Sequence, residues 1–182
     1  HEILITNGVS EGIDIALRAM VNDGDEIIVP TPAYVCYDPL ARLAGATVVP
    51  IDTSLTEFVL DPDVVERAIT ERTRFIILSS PANPTGVTLP RSVLEKLAQL
   101  AVKYDLIVLS DEIYAELDYD GVFCSISTLP GMKERTLVFN GVSKAFAMTG
   151  WRLGFVCGPQ PLIEQLLKIH QYSALCSPSM AQ

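Results

Sequence analysis

Short apolar runs alternate with longer amphipathic stretches along the whole chain. Ile3–Thr6, Glu26–Val29, Thr47–Ile51, Arg74–Leu78, Ile107–Leu109, Thr136–Phe139 and Leu153–Cys157 read as strands, and most are unbroken in their apolar character. Unbroken runs predict a sheet covered on both faces, whereas a half-exposed sheet gives alternation. Glu11–Val21, Tyr34–Ala44, Pro62–Ile69, Arg91–Tyr104 and Leu162–Tyr172 read as helices. The fourth is the clearest, because Val93, Leu94, Leu97, Leu100 and Ala101 fall on one helical stripe. Asp61 before Pro62 is a helix start with its cap in place. Strand–helix alternation repeated this often predicts a three-layer α/β/α fold around a mostly parallel, mixed sheet of about seven strands.

At 182 residues and 49% hydrophobic composition, the chain has enough material for one domain with a sizeable core. No repeat, linker or low-complexity tract divides it. A net charge of −9 without a basic stripe argues against nucleic acid as a partner. No apolar run is long enough to span a membrane. Cys36, Cys124, Cys157 and Cys176 are widely spaced, and the chain has only two histidines, so no zinc pattern exists. Four reduced thiols in a cytoplasmic protein are expected. The sequence opens directly on a strand, and Ser177-Pro178 reads as the start of a further helix. Both ends suggest part of a longer polypeptide.

Candidate chemistry collects directly after predicted strands, where open α/β sheets bind ligands. Asn7-Gly8-Val9-Ser10 precedes the first helix. Its free amides can hold a phosphate, although Ser10 would equally serve as an ordinary cap. Ser80-Pro81-Ala82-Asn83-Pro84-Thr85-Gly86 is a stiff loop that fixes the Asn83 amide, or a plain turn. Asp111, in Ser110-Asp111-Glu112-Ile113-Tyr114, sits at the mouth of a buried strand. There a carboxylate needs a cation or donors, or else caps a short helix. Lys144 has small and apolar neighbours and is followed by Arg152. A semi-buried lysine beside another cation is an activated nucleophile, whereas an ordinary surface lysine is not. Arg152 has the fork geometry for an oxyanion. A nucleophilic amine, a buried carboxylate, a fixed amide, a phenol, a phosphate-ready turn and an arginine together suit a phosphorylated pyridine aldehyde.

With these motifs in order, the chain resembles the large domain of fold-type I, pyridoxal-phosphate-dependent aminotransferases of class I/II. Asn83-Pro84-Thr85-Gly86, Ser110-Asp111-Glu112-Ile113-Tyr114 and Ser143-Lys144 followed by Gly150-Trp151-Arg152 carry the resemblance, which points to the aspartate-type subgroup. It implies that residues 1–182 are the cofactor-binding domain, without the N-terminal segment and small domain of such enzymes. It also implies amino acid and 2-oxo acid substrates, a homodimer, and little activity from these residues alone. Lys144 would form the Schiff base and carry the proton. Asp111 would pair with the pyridinium nitrogen, while Tyr114 and Asn83 would hold the phenolic oxygen. Tyr34 would stack on the ring. Arg152 and the amides of Val9 and Ser10 would hold the phosphate, with Gly8 and Ser143 also among the cofactor-binding residues. The same motifs also serve carbon–sulfur β-lyases, and an aminotransferase-like domain can act as a ligand sensor in a transcription regulator. Two departures stand out: Gly141 where many members place a serine, and Ala33 where many place an aromatic residue.

Overall fold

The computed structural model describes residues 2–182. Seven strands form one sheet: β1 (Ile3–Thr6), β2 (Glu26–Thr31), β3 (Thr47–Asp52), β4 (Thr73–Ser79), β5 (Ile107–Asp111), β6 (Thr136–Gly141) and β7 (Gly154–Cys157). Their spatial order is β1-β7-β6-β5-β4-β2-β3, and β7 alone runs against its neighbours. The carboxyl ends of β1, β4, β5 and β6 and the beginning of β7 therefore share one edge of the sheet. All the sequence-predicted chemistry lies along that edge. Pro30 is tolerated in β2 because the pairing with β4 covers only Glu26, Ile27 and Ile28.

Five helices cover the sheet: α1 (Val9–Met20), α2 (Tyr37–Leu43), α3 (Pro62–Ala68), α4 (Arg91–Lys103) and α5 (Gln160–Ser173). The α1, α2 and α5 layer closes a core that includes Ile13, Leu17, Ile27, Phe75, Phe139 and Leu166. The α3 and α4 layer closes a second core around Ile28, Ile76, Leu94, Leu97 and Val108. Successive strand residues feed opposite cores, which is why β2, β4 and β5 are apolar without alternation. Coverage fails at the β1 edge, against expectation. Ile3 and Ile5 remain 60% and 46% exposed, because the second helix layer does not reach that far.

Four boundaries depart from the sequence reading for identifiable reasons. Helix α1 begins at Val9 with Gly8 as its cap, so Ser10 is not a capping residue. Helix α2 begins at Tyr37, because Tyr34 to Cys36 make a turn in which the Tyr37 N–H donates to the Tyr34 carbonyl. Strand β7 begins at Gly154, since Arg152 adopts φ 51°, which no strand accommodates. The residues after Ser177 form a single turn closed by Ala181 N–H on the Pro178 carbonyl, not a helix. The Asp61 cap holds as expected, its carboxylate accepting from the Asp63 N–H at 2.9 Å.

Candidate active site

The β1–α1 turn is built by its own residues. Gly8 adopts φ 81° and ψ 167°, a conformation essentially reserved for glycine. Thr6 Oγ1 donates to the Gly8 carbonyl at 2.9 Å, and the Gly8 N–H donates to the Thr6 carbonyl. No side chain caps α1. Its first N–H groups thus stay free, and the helix dipole favours an anion there. Arg152 crosses from the β6–β7 connection to this turn. Its Nη2 donates to the Asn7 carbonyl at 3.3 Å and its Nη1 to the Thr149 carbonyl at 2.9 Å. A Cβ on Gly8 would lie 2.4 Å from Arg152 Nη2, so the guanidinium occupies the space a side chain would need.

Asp111 ends β5 with only 4% of its surface exposed. Its Oδ2 accepts from Tyr37 Oη at 2.7 Å and its Oδ1 from the Ile113 N–H at 3.2 Å. Burial raises its pKa above the ordinary carboxylate range, and these two hydrogen bonds pull the other way. The Tyr37 hydroxyl is raised as well, first by burial and then by the Asp111 charge. The Cys36 thiol is pushed up to about 12, mainly by burial, and so is no ready nucleophile. Asp111 caps no helix: the short 3-10 turn Ala115–Leu117 starts without a side-chain cap, and the Ile113 bond closes a local turn on one carboxylate oxygen. Next in sequence, Glu112 is also buried and accepts from Ser110 at 2.9 Å and Ser125 at 2.7 Å. Burial raises its pKa too.

These parts meet in one cleft of about 200 Å³. Val9, Ser10 and Arg152 line it together with Asp111, Tyr114 and Asn83, and with Tyr34, Ser143 and Lys144. Of the sequence-predicted site residues, Gly8 alone does not line the cleft. It acts through the turn beneath. Lys144 Nζ stands 5.7 Å from the centroid of the Tyr114 ring. The lysine is exposed, not semi-buried as its small neighbours suggested, because the cleft is open on its side. Asn83 is held by a loop in which the Ala82 N–H donates to Val87 and the Gly86 N–H to Ala82.

Tyr37 and Thr149 also line the cleft and were missed in the sequence. Tyr37 packs edge-on to Tyr34 with centroids 5.7 Å apart. Its signal was its place three residues after Tyr34, masked by assignment of both to one helix. Thr149 carried no signal. The Gly141 departure has a steric cause: a Cβ there would lie 2.7 Å from the Leu153 carbonyl and 2.8 Å from Gly154 Cα. With β6 and β7 paired Gly141 to Gly154, no serine fits. No group of three or more potential metal ligands occurs among the described residues. No helix there is long and apolar enough to cross a membrane, and the four cysteines are unpaired.

A mixed α/β sheet with an anion-ready helix start, a buried carboxylate and an amine along one edge defines an α/β ligand-binding domain. The chain belongs to the aminotransferase class I and II family, which it matches over residues 1–182. It is 51% identical to the putative aminotransferase YugH of Bacillus subtilis, over 100% of this chain and 47% of that protein. Aspartate aminotransferase of Pyrococcus abyssi is 45% identical over 100% of this chain and 47% of its own length. Among solved structures, the Thermus thermophilus aspartate aminotransferase with maleate superposes with a TM-score of 0.96 at 42% identity, covering 100% of this chain and 47% of that one. The aromatic aminotransferase of Pyrococcus horikoshii gives 0.94 at 44% identity, covering 97% and 48%. The chain thus spans about half the length of the curated relatives it matches.

Proposed function

We propose that these residues are the cofactor-binding domain of an aminotransferase that moves an amino group between an amino acid and a 2-oxo acid, with pyridoxal phosphate as cofactor. One observation carries the reading. Lys144 and the buried Asp111 line the same cleft as Arg152 and the uncapped start of α1.

The donor set fits the cofactor. Burial makes an ionised Asp111 costly, and a cationic ring nitrogen is the partner that offsets the cost. The α1 amides and Arg152 suit a phosphate. In this reading Lys144 would hold the cofactor's aldehyde carbon and Asp111 its ring nitrogen. Tyr114 and Asn83 would hold the phenolic oxygen, and Tyr34 would pack against the ring. Arg152 and the Val9 and Ser10 amides would hold the phosphate, with Gly8 shaping the turn beneath and Ser143 lining the cleft. Bound there, the cofactor supplies an electron sink for bonds at a substrate's α-carbon.

The chain's own residues supply the rest. Lys144 Nζ is the group placed to accept and return a proton, and it stands beside the Tyr114 ring. Tyr37 fixes the Asp111 carboxylate at one oxygen, and the Ile113 N–H fixes the other. That carboxylate cannot rotate away from the cleft without losing both bonds. A homodimer in the cytoplasm belongs to the same reading. Val35, Phe146 and Trp151, beside cleft residues in sequence, leave 79%, 67% and 44% of their surface exposed, the kind of apolar surface a partner covers. The unpaired cysteines suit a reducing compartment. The aminotransferase names borne by the relatives support group transfer.

The test is to incubate the intact protein with pyridoxal phosphate, reduce with borohydride and map the adduct. One adduct at Lys144 is expected, absent from Lys144→Ala. An amino acid offered to the loaded protein should yield its 2-oxo acid. An adduct at another lysine, or release of pyruvate and ammonia in place of transfer, would overturn the assignment.

A further inference from the structure

Glu11 stands in the first turn of α1, where its charge would repel any phosphate held by that helix. The structure turns it away. One oxygen, Oε2, accepts from the Asn7 N–H behind the helix start. The other, Oε1, lies 3.0 Å from Nδ1 of His170 on α5. The contact resembles half of a capping box, displaced by one residue because the Gly8 N–H is already taken by Thr6. The pair is sheltered, with side-chain exposures of 4% for His170 and 15% for Glu11.

Asn7 is the hub of this arrangement. Its N–H is held by Glu11, its carbonyl receives Arg152 Nη2, and its side-chain amide donates to the Cys176 carbonyl at 3.3 Å. The last turn of α5 and the segment that follows it are thereby tied to the α1 start, through His170 and through Cys176. Glu11 holds the peptide that enters Asn7, and the next peptide, through the Asn7 carbonyl, receives the arginine of the candidate phosphate site.

We infer that Glu11 and His170 are positioning residues for the phosphate site: together they fix the Asn7–Gly8 turn, and through it Arg152, while keeping the Glu11 charge off the anion. With Glu11 ionised, His170 Nδ1 is the donor. Neither residue lines the cleft, so neither is catalytic. The inference rests on the proposal that the Arg152 end of the cleft takes a phosphate.

The experiment compares the binding of pyridoxal phosphate with that of pyridoxal, which lacks the phosphate, to the intact protein by absorbance titration. Glu11→Ala and His170→Leu should each raise Kd for pyridoxal phosphate about tenfold, which is about 1.4 kcal/mol. Kd for pyridoxal should stay within about twofold, because its contacts to Lys144 and Asp111 are untouched. Glu11→Gln, which keeps an acceptor for the Asn7 N–H, should recover most of the loss and serves where the alanine variant folds poorly. Equal weakening of both ligands would show a merely structural pair and overturn the inference, as would unchanged affinity for both. If the unaltered protein binds pyridoxal phosphate no better than pyridoxal, the phosphate assignment fails first. If it prefers the phosphate and the variants keep that preference, only the role of Glu11 and His170 fails.

Discussion

Tyr37 donates a 2.7 Å hydrogen bond to Asp111 across the cleft floor, joining the first turn of α2 to the end of β5. The two residues lie far apart in sequence, and both are almost fully buried, with exposures of 2% and 4%. A buried carboxylate losing a donor is left with an unmet desolvation cost of about 1–3 kcal/mol. Tyr37→Phe should therefore destabilise the cofactor-free protein by an amount in that range, read as a lower thermal midpoint. It should also weaken hold on a cationic ring nitrogen, because Asp111 becomes still easier to protonate. A variant with an unchanged midpoint and unchanged cofactor affinity would show that the bond contributes nothing.

Asp111→Asn separates stability from chemistry. The carboxyl pKa in the folded protein is raised above its ordinary value, chiefly by burial. The folded state then binds the proton more tightly than the unfolded one, so the associated stability is full below the ordinary value, about 4. It is lost as pH rises through the raised folded value. Asparagine does not titrate. In the cofactor-free protein, the stability of the unaltered chain relative to Asp111→Asn should therefore fall as pH rises above about 4 and then level off. Chemical denaturation at a series of pH values reads this directly. Transamination by the loaded variant should drop by orders of magnitude for want of the charged partner. A pH-independent stability difference would contradict the raised pKa.

Most of the sheet was legible in the sequence because β2, β4, β5 and β6 are buried on both faces and carry apolar runs with no competing pattern. The exposed edge at Ile3 and Ile5 was not legible, since an apolar edge residue looks the same whether or not a helix covers it. The cleft was readable where chemistry stands at the end of a strand, as with Asp111, Asn83 and the Gly8 turn. Tyr37 was not, because its role depends on a turn that delays α2 by three residues and aims the ring at β5. The Glu11–His170 pair joins opposite ends of the chain, and no local pattern announces such a contact. Lys144 was singled out by its neighbours and motif, yet its exposure is set by the open side of the cleft, which composition does not encode.

Glu26 offers a control far from the chemistry. It opens β2 with its side chain 5% exposed, and it accepts from Thr70 at 2.6 Å, Thr73 at 3.0 Å and Arg72 at 2.7 Å. Its pKa is lowered, first by the Thr70 bond and then by Arg72. A lowered folded value means the opposite sign to Asp111: stability is present above the ordinary carboxylate range and is lost as pH falls through the lowered value. Glu26→Leu should lower stability at neutral pH by about 1–3 kcal/mol, because three donors lose their acceptor. The difference from the unaltered protein should shrink in acid, while cofactor affinity stays unchanged. A difference that grew in acid would refute the assignment.

Gly8→Ala should damage both the fold and the candidate phosphate site. The backbone at φ 81° and ψ 167° costs a non-glycine residue about 1–3 kcal/mol. The added Cβ would also stand 2.4 Å from Arg152 Nη2, so the guanidinium must move and its bond to the Asn7 carbonyl breaks. A flexible arginine can move at little cost, so most of the stability loss should come from the backbone. Arg152→Ala separates the two effects. It leaves the Gly8 conformation intact, and its exposed side chain contributes little to the fold. The single alanine at Arg152 should thus weaken pyridoxal phosphate binding with a small change in thermal midpoint, whereas Gly8→Ala should lower both. In the double variant the steric conflict is gone, and cofactor affinity should fall no further than in Arg152→Ala alone. Additive losses in the double variant would show that Gly8 and Arg152 act on the ligand independently, and that the close approach of the guanidinium to the turn is not what makes glycine necessary there.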